Sequence, residues 1–422
     1  MHGCPSPESF IRGQTDALPP ITQGGSRMPE LGTFGSVRGV PGNGHSYRNQ
    51  FFCGGEYFET RLPCDPSGLT RFRRALGDAG VEELLAKTIE TAVSMKAIAP
   101  KDLERVIVDS TVQEKAIAFP TDSRLLDVAR RKLVLIAKRS GVVLRQTFEK
   151  EGRSLKRRAG GYAHAKQYRR LRRVLKRQRT ILGRVMRDLE RRLPTLADGM
   201  QEIATLWLER ARRIHTQRPK DKNKRYALHA PEVECIGKGK ARQPYEFGVK
   251  VGIATTEKGN LIVGARAFPG NPYDGHTLTE QIEQATILMQ EVQGAPKPHT
   301  AIVDLGYRGV EVPGVEIIHR GRIKSLSAKA RRLLKRRQAV EPVIGHLKDD
   351  CGLRRNWLKG SEGDVLHPVL CAAGYNLRWL MRAIARLGLK ALFALWLLVG
   401  MRGRLVSDEG SWPPGRRRKA AN

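Results

Sequence analysis

Two short β-branched runs, RVIVDSTV at 105–112 and TAIVDLGYRG at 300–309, each carry an aspartate near their end, and they constrain the fold of this chain more than any other feature. Runs of this length and type read as buried strands. After the first, the pattern is helical for about a hundred residues, from RLLDVARRKLVLIAKRSGV to IATLWLERARRIH. Strand character returns in YEFGVKVGIATT (245–256) and GNLIVGARAFPG (259–270), with EKGN as the turn between them. A helix, TLTEQIEQATILMQEV, precedes the second Asp-bearing run, and a shorter strand, GVEIIHR, follows it. The basic segment RRLLKRRQAVEPVIGHLKDD (331–350) then reads as one helix. This order predicts an α/β fold, a mixed sheet with a long helical insertion after its first strand.

Within the helical stretch, YRRLRRVLKRQRTILGRVMRDLERRL places Leu171, Val174, Leu175, Ile181, Leu182, Val185, Met186 and Leu189 at three- and four-residue steps. That spacing makes one apolar face and one strongly basic face, the latter carrying Arg169, Arg170, Arg172, Arg173, Lys176 and Arg177. A basic face is either solvated surface or a phosphate-contacting surface that releases counterions on binding.

The ends of the chain differ in character. Residues 1–48 are rich in Gly, Pro and Ser without periodicity and read as disordered or poorly packed. Order is predicted to begin near FFCGGEYFETRLPC, with DPSG capping a helix that starts near Leu69 and continues through VEELLAKTIETAVSMKAI to residue 98. Residues 49–100 thus form a small helical N-terminal domain. At the other end, residues 386–422 read as an apolar helix and a basic tail.

The formal net charge of +34, from 76 Lys plus Arg against 42 Asp plus Glu, calls for a polyanionic partner, nucleic acid first and anionic membrane second. The longest apolar run, ALFALWLLVGM, has about half the roughly 20 residues a spanning helix needs, so no membrane association is expected. No basic-then-apolar signal segment opens the chain. The six cysteines are scattered without a CxxC pair, which argues against a zinc site and a disulfide framework and fits a reducing, cytoplasmic setting.

Asp109 and Asp304 end their apolar runs where a sheet opens on a crevice, and an acid there is either hydrogen-bonded locally or used on a ligand. Glu341 is the third acid, with Arg337 four residues before it and Lys348 seven after, and with Leu333, Val340, Ile344 and Leu347 available for packing on the other side. Alone, Arg337 and Glu341 would be a surface pair worth roughly 0.3–0.5 kcal/mol. Converging from two strands and a helix, the three carboxylates would make an oxygen-rich site for Mg2+ or Mn2+. Two such ions can serve phosphodiester chemistry, and the surrounding basic residues would hold the nucleic acid.

At this point VIVDSTVQEKAIAFPTDSRLL, GGYAHAKQYRRLRRVLKRQ, GNPYDGHTL, VDLGYRG and RRQAVEPVIGHLKDDCGLRRNWLKG together resemble the DDE transposases of bacterial insertion sequences, in the insertion-sequence-five branch of the insertion-sequence-four-like group. The likeness runs over about residues 51–385 and implies a ribonuclease-H-like catalytic core over 101–385, with the helical insert at about 122–220 and a shortened N-terminal transposase domain before it. It also implies Asp109, Asp304 and Glu341 as the metal-binding catalytic triad for Mg2+ or Mn2+, and Arg337 and Lys348 on DNA phosphates. The family's activity is cleavage at terminal inverted repeats and transfer of the freed 3′ end to target DNA. Double-stranded DNA, a homodimeric active complex and a cytoplasmic, nucleoid-associated location follow from the same likeness. Leu334 stands where the family's signature has Tyr, and the N-terminus departs from the family's helical domain. A non-catalytic DNA-binding protein and an inactive truncated remnant are the competing readings.

Other residues invite function less strongly. His276 beside Asp274 reads as loop-structuring rather than metal-binding, since no second His or Cys stands at ligand spacing. GKGKAR at 237–242 lacks the full Walker spacing. Trp357 and Tyr375 are candidates for stacking on splayed bases or for packing C-terminal helices.

Overall fold

The run RVIVDSTVQEK forms β1 (Arg105–Lys115), the strand around which the sheet is built. The structure, a computed structural model, describes residues 66–237, 244–294, 296–322 and 327–387. Along one edge β1 pairs antiparallel with β3 (Tyr245–Thr256), from Val106 opposite Thr256 to Glu114 opposite Gly248. The far edge of β3 is shared by β2 (Glu234–Gly237) and β4 (Ile262–Phe268), both antiparallel to it.

The other edge of β1 is only partly covered. Parallel β5 (Thr300–Ile302) pairs with it from Arg105 to Ile107, and β7 (Arg355–Asn356) pairs at Glu114 and Lys115. β6 (Glu316–Ile318) runs parallel to β5 and completes a mixed sheet. β1 therefore has an unpaired middle on that edge, and Asp109 lies in it.

Side chains of a strand alternate between faces. Val106 and Val108 enter the main core with α1 (Pro66–Ser94), α6 (Asp274–Leu288) and α9 (Gly360–Leu387). Ile107 points the other way and packs with Ile302 of β5 and with Val340, beside Leu333, Leu334 and Ile344. Asn376 of α9 ties that helix to β4, accepting from the Ile262 N–H at 3.0 Å and donating to its carbonyl at 2.8 Å.

Between β1 and β2 stand α2 (Asp122–Arg139), α3 (Glu149–His164), α4 (Tyr168–Glu190) and α5 (Asp198–Thr216). They share an apolar core separate from the one against the sheet. All eight apolar positions read from the α4 sequence are buried in it. The strands, the helices between them and the sheet's mixed sense make this an α/β fold.

Several local expectations change. The helix read from Leu69 to 98 begins at Pro66 and ends at Ser94, and it is interrupted at Gly77, whose φ of +61° and ψ of −168° suit a residue without Cβ. The segment 331–350 is two helices, α7 (Ala328–Arg336) and α8 (Val340–Asp349), joined by a 3-10 turn at Arg337–Ala339. Pro342 explains the break: inside a continuous helix its ring would clash with the carbonyl four residues earlier, whereas the first turn of α8 has no such hydrogen bond to lose. Cys351 and Cys371 are free thiols, but Cys235 is disulfide-bonded, a departure from the all-thiol reading; spacing along the chain reports only local cysteine pairs.

Among the described residues no helix is long and apolar enough to cross a membrane. The segments 1–48 and FFCGGEYFETRLPC, most of GKGKAR, and ALFALWLLVGM with the basic tail lie outside the described residues.

Candidate active site

Ile107 of β1 and Ile302 of β5 are paired in parallel register, and Asp109 and Asp304 each follow their isoleucine by two residues. Two steps along a strand return a side chain to the same face, and the backbone at Asp304 is still extended (φ −84°, ψ −174°). The two aspartates thus stand side by side where the sheet opens, on the face covered by α7 and α8. Only Asp304 lies at a strand's carboxyl end, where α/β sheets place ligands; β1 does not end near Asp109 as its sequence suggested but continues to Lys115, and the site opens because β5 stops at Ile302.

Each carboxylate is held by backbone. Asp109 Oδ1 accepts from its neighbour Ser110 N–H at 2.8 Å. Asp304 Oδ1 accepts from Gly306 N–H at 2.7 Å and so caps a 3-10 turn, Leu305–Tyr307. Burial pushes the Asp109 carboxyl up to about 6, the Ser110 N–H and Arg337 oppose that shift, and the negative charges of Asp304 and Asp274 add to it.

Asp274 was not singled out from the sequence, where it appeared only as the neighbour of His276. It opens α6, and its Oδ1 lies 3.0 Å from Lys250 Nζ, which also donates to the Pro272 carbonyl at 2.5 Å. A Cβ on Gly306 would sit 2.9 Å from Asp304 Oδ1 and 3.0 Å from Asp274 Oδ2, so the two carboxylates converge on a spot only glycine leaves open. Beneath them Tyr307 is fully buried, its phenol pushed well above its usual value by burial and then by Asp274 and Asp109. No local spacing signals these contacts, because Lys250 comes from β3, Asp274 from α6 and Asp304 from just past β5, and the fold alone brings Lys250 to Asp274 and Asp274 to Asp304.

Glu341 reaches the pair through Arg337. The guanidinium places Nη1 3.7 Å from Asp109 Oδ2 and Nη2 3.4 Å from Glu341 Oε1. Glu341 itself is 60% exposed, against 19% for Asp109. Leu334, in the last turn of α7, belongs to the apolar patch with Ile107, Ile302 and Val340 that carries this turn. Lys348 lies in the last turn of α8, half-buried.

The basic face of α4 is as read for most of its residues. Arg169, Arg170, Arg172, Arg173 and Lys176 are exposed. Arg177 is half-buried, and its Nε and Nη2 donate to the two Glu151 oxygens at 2.6 and 3.0 Å, so its guanidinium is committed to α3. His276 stands in the first turn of α6 rather than in a loop, edge-on to Tyr273 at 5.6 Å. Tyr375 is part of the main core, which leaves it to packing, while Trp357 is 73% exposed beneath Arg355.

As they stand, no three His, Cys, Asp or Glu side chains among the described residues are gathered closely enough to hold an ion. The donor chemistry nonetheless suits Mg2+ or Mn2+: all candidates are carboxylate oxygens, and Asp109 is a desolvated acid next to two others. Glu341, on the exposed side, has room to turn.

Residues 211–377 match the family model described as "Transposase DDE domain". That span includes Asp274, Asp304 and Glu341 and begins after β1, so Asp109 lies outside it. An uncharacterized protein, ORF8 in the nfe locus of Rhizobium meliloti, is 47% identical over 119 residues, which cover 28% of this chain. The chain spans 58% of that relative's length. No solved structure matches.

Proposed function

We propose that this chain, with a transposase DDE domain matched over residues 211–377, is a metal-dependent DNA strand-cleaving and strand-joining enzyme acting at the ends of an insertion sequence. The observation that carries the reading is the register of β1 and β5, which sets Asp109 and Asp304 side by side, with Glu341 linked to them through one guanidinium. In this reading the core is ribonuclease-H-like, and Asp109, Asp304 and Glu341 are the residues that would hold Mg2+ or Mn2+. Two such ions, when bound, supply activation of an attacking oxygen and neutralisation of the leaving one.

The protein's own groups do the rest. The Ser110 and Gly306 N–H groups fix one oxygen each of Asp109 and Asp304, and Arg337 stands 3.7 Å from the second oxygen of Asp109. Lys250 pairs with Asp274 at 3.0 Å and offsets part of the negative charge beside the strand pair. Arg337, Lys348 and the exposed Arg169, Arg170, Arg172, Arg173 and Lys176 hold DNA phosphates, Arg337 next to the reacting centre and the α4 residues along a flanking duplex. The terminal inverted repeats and the target duplex are the substrates, handled by a homodimer at the nucleoid.

The test is a nicking assay on a duplex bearing the inverted repeats that flank the gene. Glu341→Gln is expected to bind that duplex as the wild type does and to lose nicking in Mg2+ and in Mn2+. Nicking that persists in the variant, or that needs no divalent ion, overturns the assignment.

A further inference from the structure

We infer that Arg337 holds the place of a divalent cation between Asp109 and Glu341, so that an ion and this guanidinium compete for the same two carboxylates. The inference rests on the reading of those carboxylates as metal ligands. Arg337 spans two acids from different elements, Asp109 of β1 at 3.7 Å and Glu341 of α8 at 3.4 Å, and its side chain is only 24% exposed. It stands at the turn between α7 and α8, which the patch of Leu333, Leu334 and Val340 seats against Ile107 and Ile302. The guanidinium is therefore held over the carboxylates by packing on either side of it.

The two contacts are loose. Charge-assisted N–H to carboxylate bonds run at roughly 2.7–2.9 Å. The Arg177 fork on Glu151 approaches that, at 2.6 and 3.0 Å, and there both nitrogens grip one carboxylate. Arg337 instead gives one nitrogen to each of two acids at longer range, as a cation does when it balances charge without completing bidentate geometry. Lys250 is already engaged by Asp274 and the Pro272 carbonyl.

A small ion drawing Asp109 and Glu341 together would meet the guanidinium head-on, and Arg337 must swing out. Released, it presents its fork to a phosphate. By linkage the effect is reciprocal: a phosphate that takes Arg337 raises ion affinity, and an ion that displaces Arg337 raises DNA affinity. Arg337 would then couple the loading of metal to the engagement of DNA.

The probe is Mn2+ titrated into the full chain without DNA, with free Mn2+ read by electron paramagnetic resonance. Arg337→Gln is expected to bind the first Mn2+ roughly three- to tenfold more tightly than wild type, up to about one decade of affinity or 1.4 kcal/mol. Arg337→Lys keeps the positive charge but replaces the two nitrogens that reach Asp109 and Glu341 by one on a shorter side chain, so it is expected to tighten binding in the same direction by less, and it stands in should the Gln variant fail to fold by circular dichroism. Unchanged or weaker Mn2+ binding in these variants overturns the inference while leaving the metal reading intact. Asp109→Asn binding Mn2+ as well as wild type would instead overturn the metal reading beneath it.

Discussion

Asp109 stands beside Asp304 because Ile107 and Ile302 are register partners two residues earlier on parallel strands. The price of that placement falls on Asp109, whose carboxyl is pushed up to about 6 by burial, with Asp304 and Asp274 adding to the shift. An unfolded aspartate titrates near 3.9. The folded value is the higher one, so the stability this group lends is full below pH about 4 and is lost as pH rises through about 6. Without divalent ions, Asp109→Asn is therefore expected to raise the free energy of urea unfolding at pH 8 by on the order of 1–2 kcal/mol, and to change it little at pH 4. Equal effects at both pH values would show that burial at this point of β1 does not strain the acid.

Gly306 is the point at which Asp304 and Asp274 approach each other, 2.9 and 3.0 Å from where a Cβ would be. Gly306→Ala forces one carboxylate aside. Overpacking of this kind costs about 1–3 kcal/mol, and here it also disturbs the N–H that fixes Asp304 Oδ1. Denaturant unfolding should register the loss, and nicking should fall by more than the stability change accounts for. A variant as stable and as active as wild type would mean that the two acids move apart freely.

What the sequence discloses about the site follows from the range of the interactions involved. The α4 stripe is legible because helical periodicity is local, and all of its eight apolar positions are buried. β1, β3 and β4 are legible from their β-branched runs, and so is Asp304 just past β5, but Asp109 stands mid-strand rather than near an end, because β1 runs on to Lys115 through residues that pair with β3 and β7. β2 and β7 are not legible, since four and two residues carry no period. Asp274 and Lys250 are hidden for a different reason: Asp274 meets Asp304 at the Gly306 turn and Lys250 on β3, contacts between distant segments that no spacing encodes. The Arg337–Glu341 contact is legible because it spans only four residues. The turn that breaks the helix between them was there to be read in Pro342.

Leu334 occupies a place where the resembled family carries Tyr, and it packs with Ile107, Ile302 and Val340 directly under the Arg337 turn. Its job in this chain is to seat that turn. Leu334→Ala leaves a partly filled cavity, and because the site is half-buried the loss belongs near the low end of the range for Leu→Ala, about 2 kcal/mol. Thermal unfolding measures it. An unchanged melting temperature would mean that the α7 turn is seated by other contacts.

The exposed cations of α4 and its half-buried Arg177 should separate cleanly in a salt titration. Neutralising a phosphate contributes about 0.9 to the slope of log K against log salt on duplex DNA. Replacing Arg169, Arg172, Arg173 and Lys176 together by Gln is therefore expected to flatten the slope by up to about 3–4 and to weaken binding to all duplexes alike, since phosphate contacts carry no base information. Arg177→Gln should leave the slope where it is, because the Glu151 carboxylate already balances that guanidinium through a two-nitrogen fork. Its effect is instead a small loss of stability, under about 1 kcal/mol for a pair this exposed. Fluorescence anisotropy of a labelled duplex from low to moderate salt reads both. If the fourfold variant keeps the wild-type slope, the basic face of α4 is solvated surface, and the +34 net charge must meet its polyanion elsewhere.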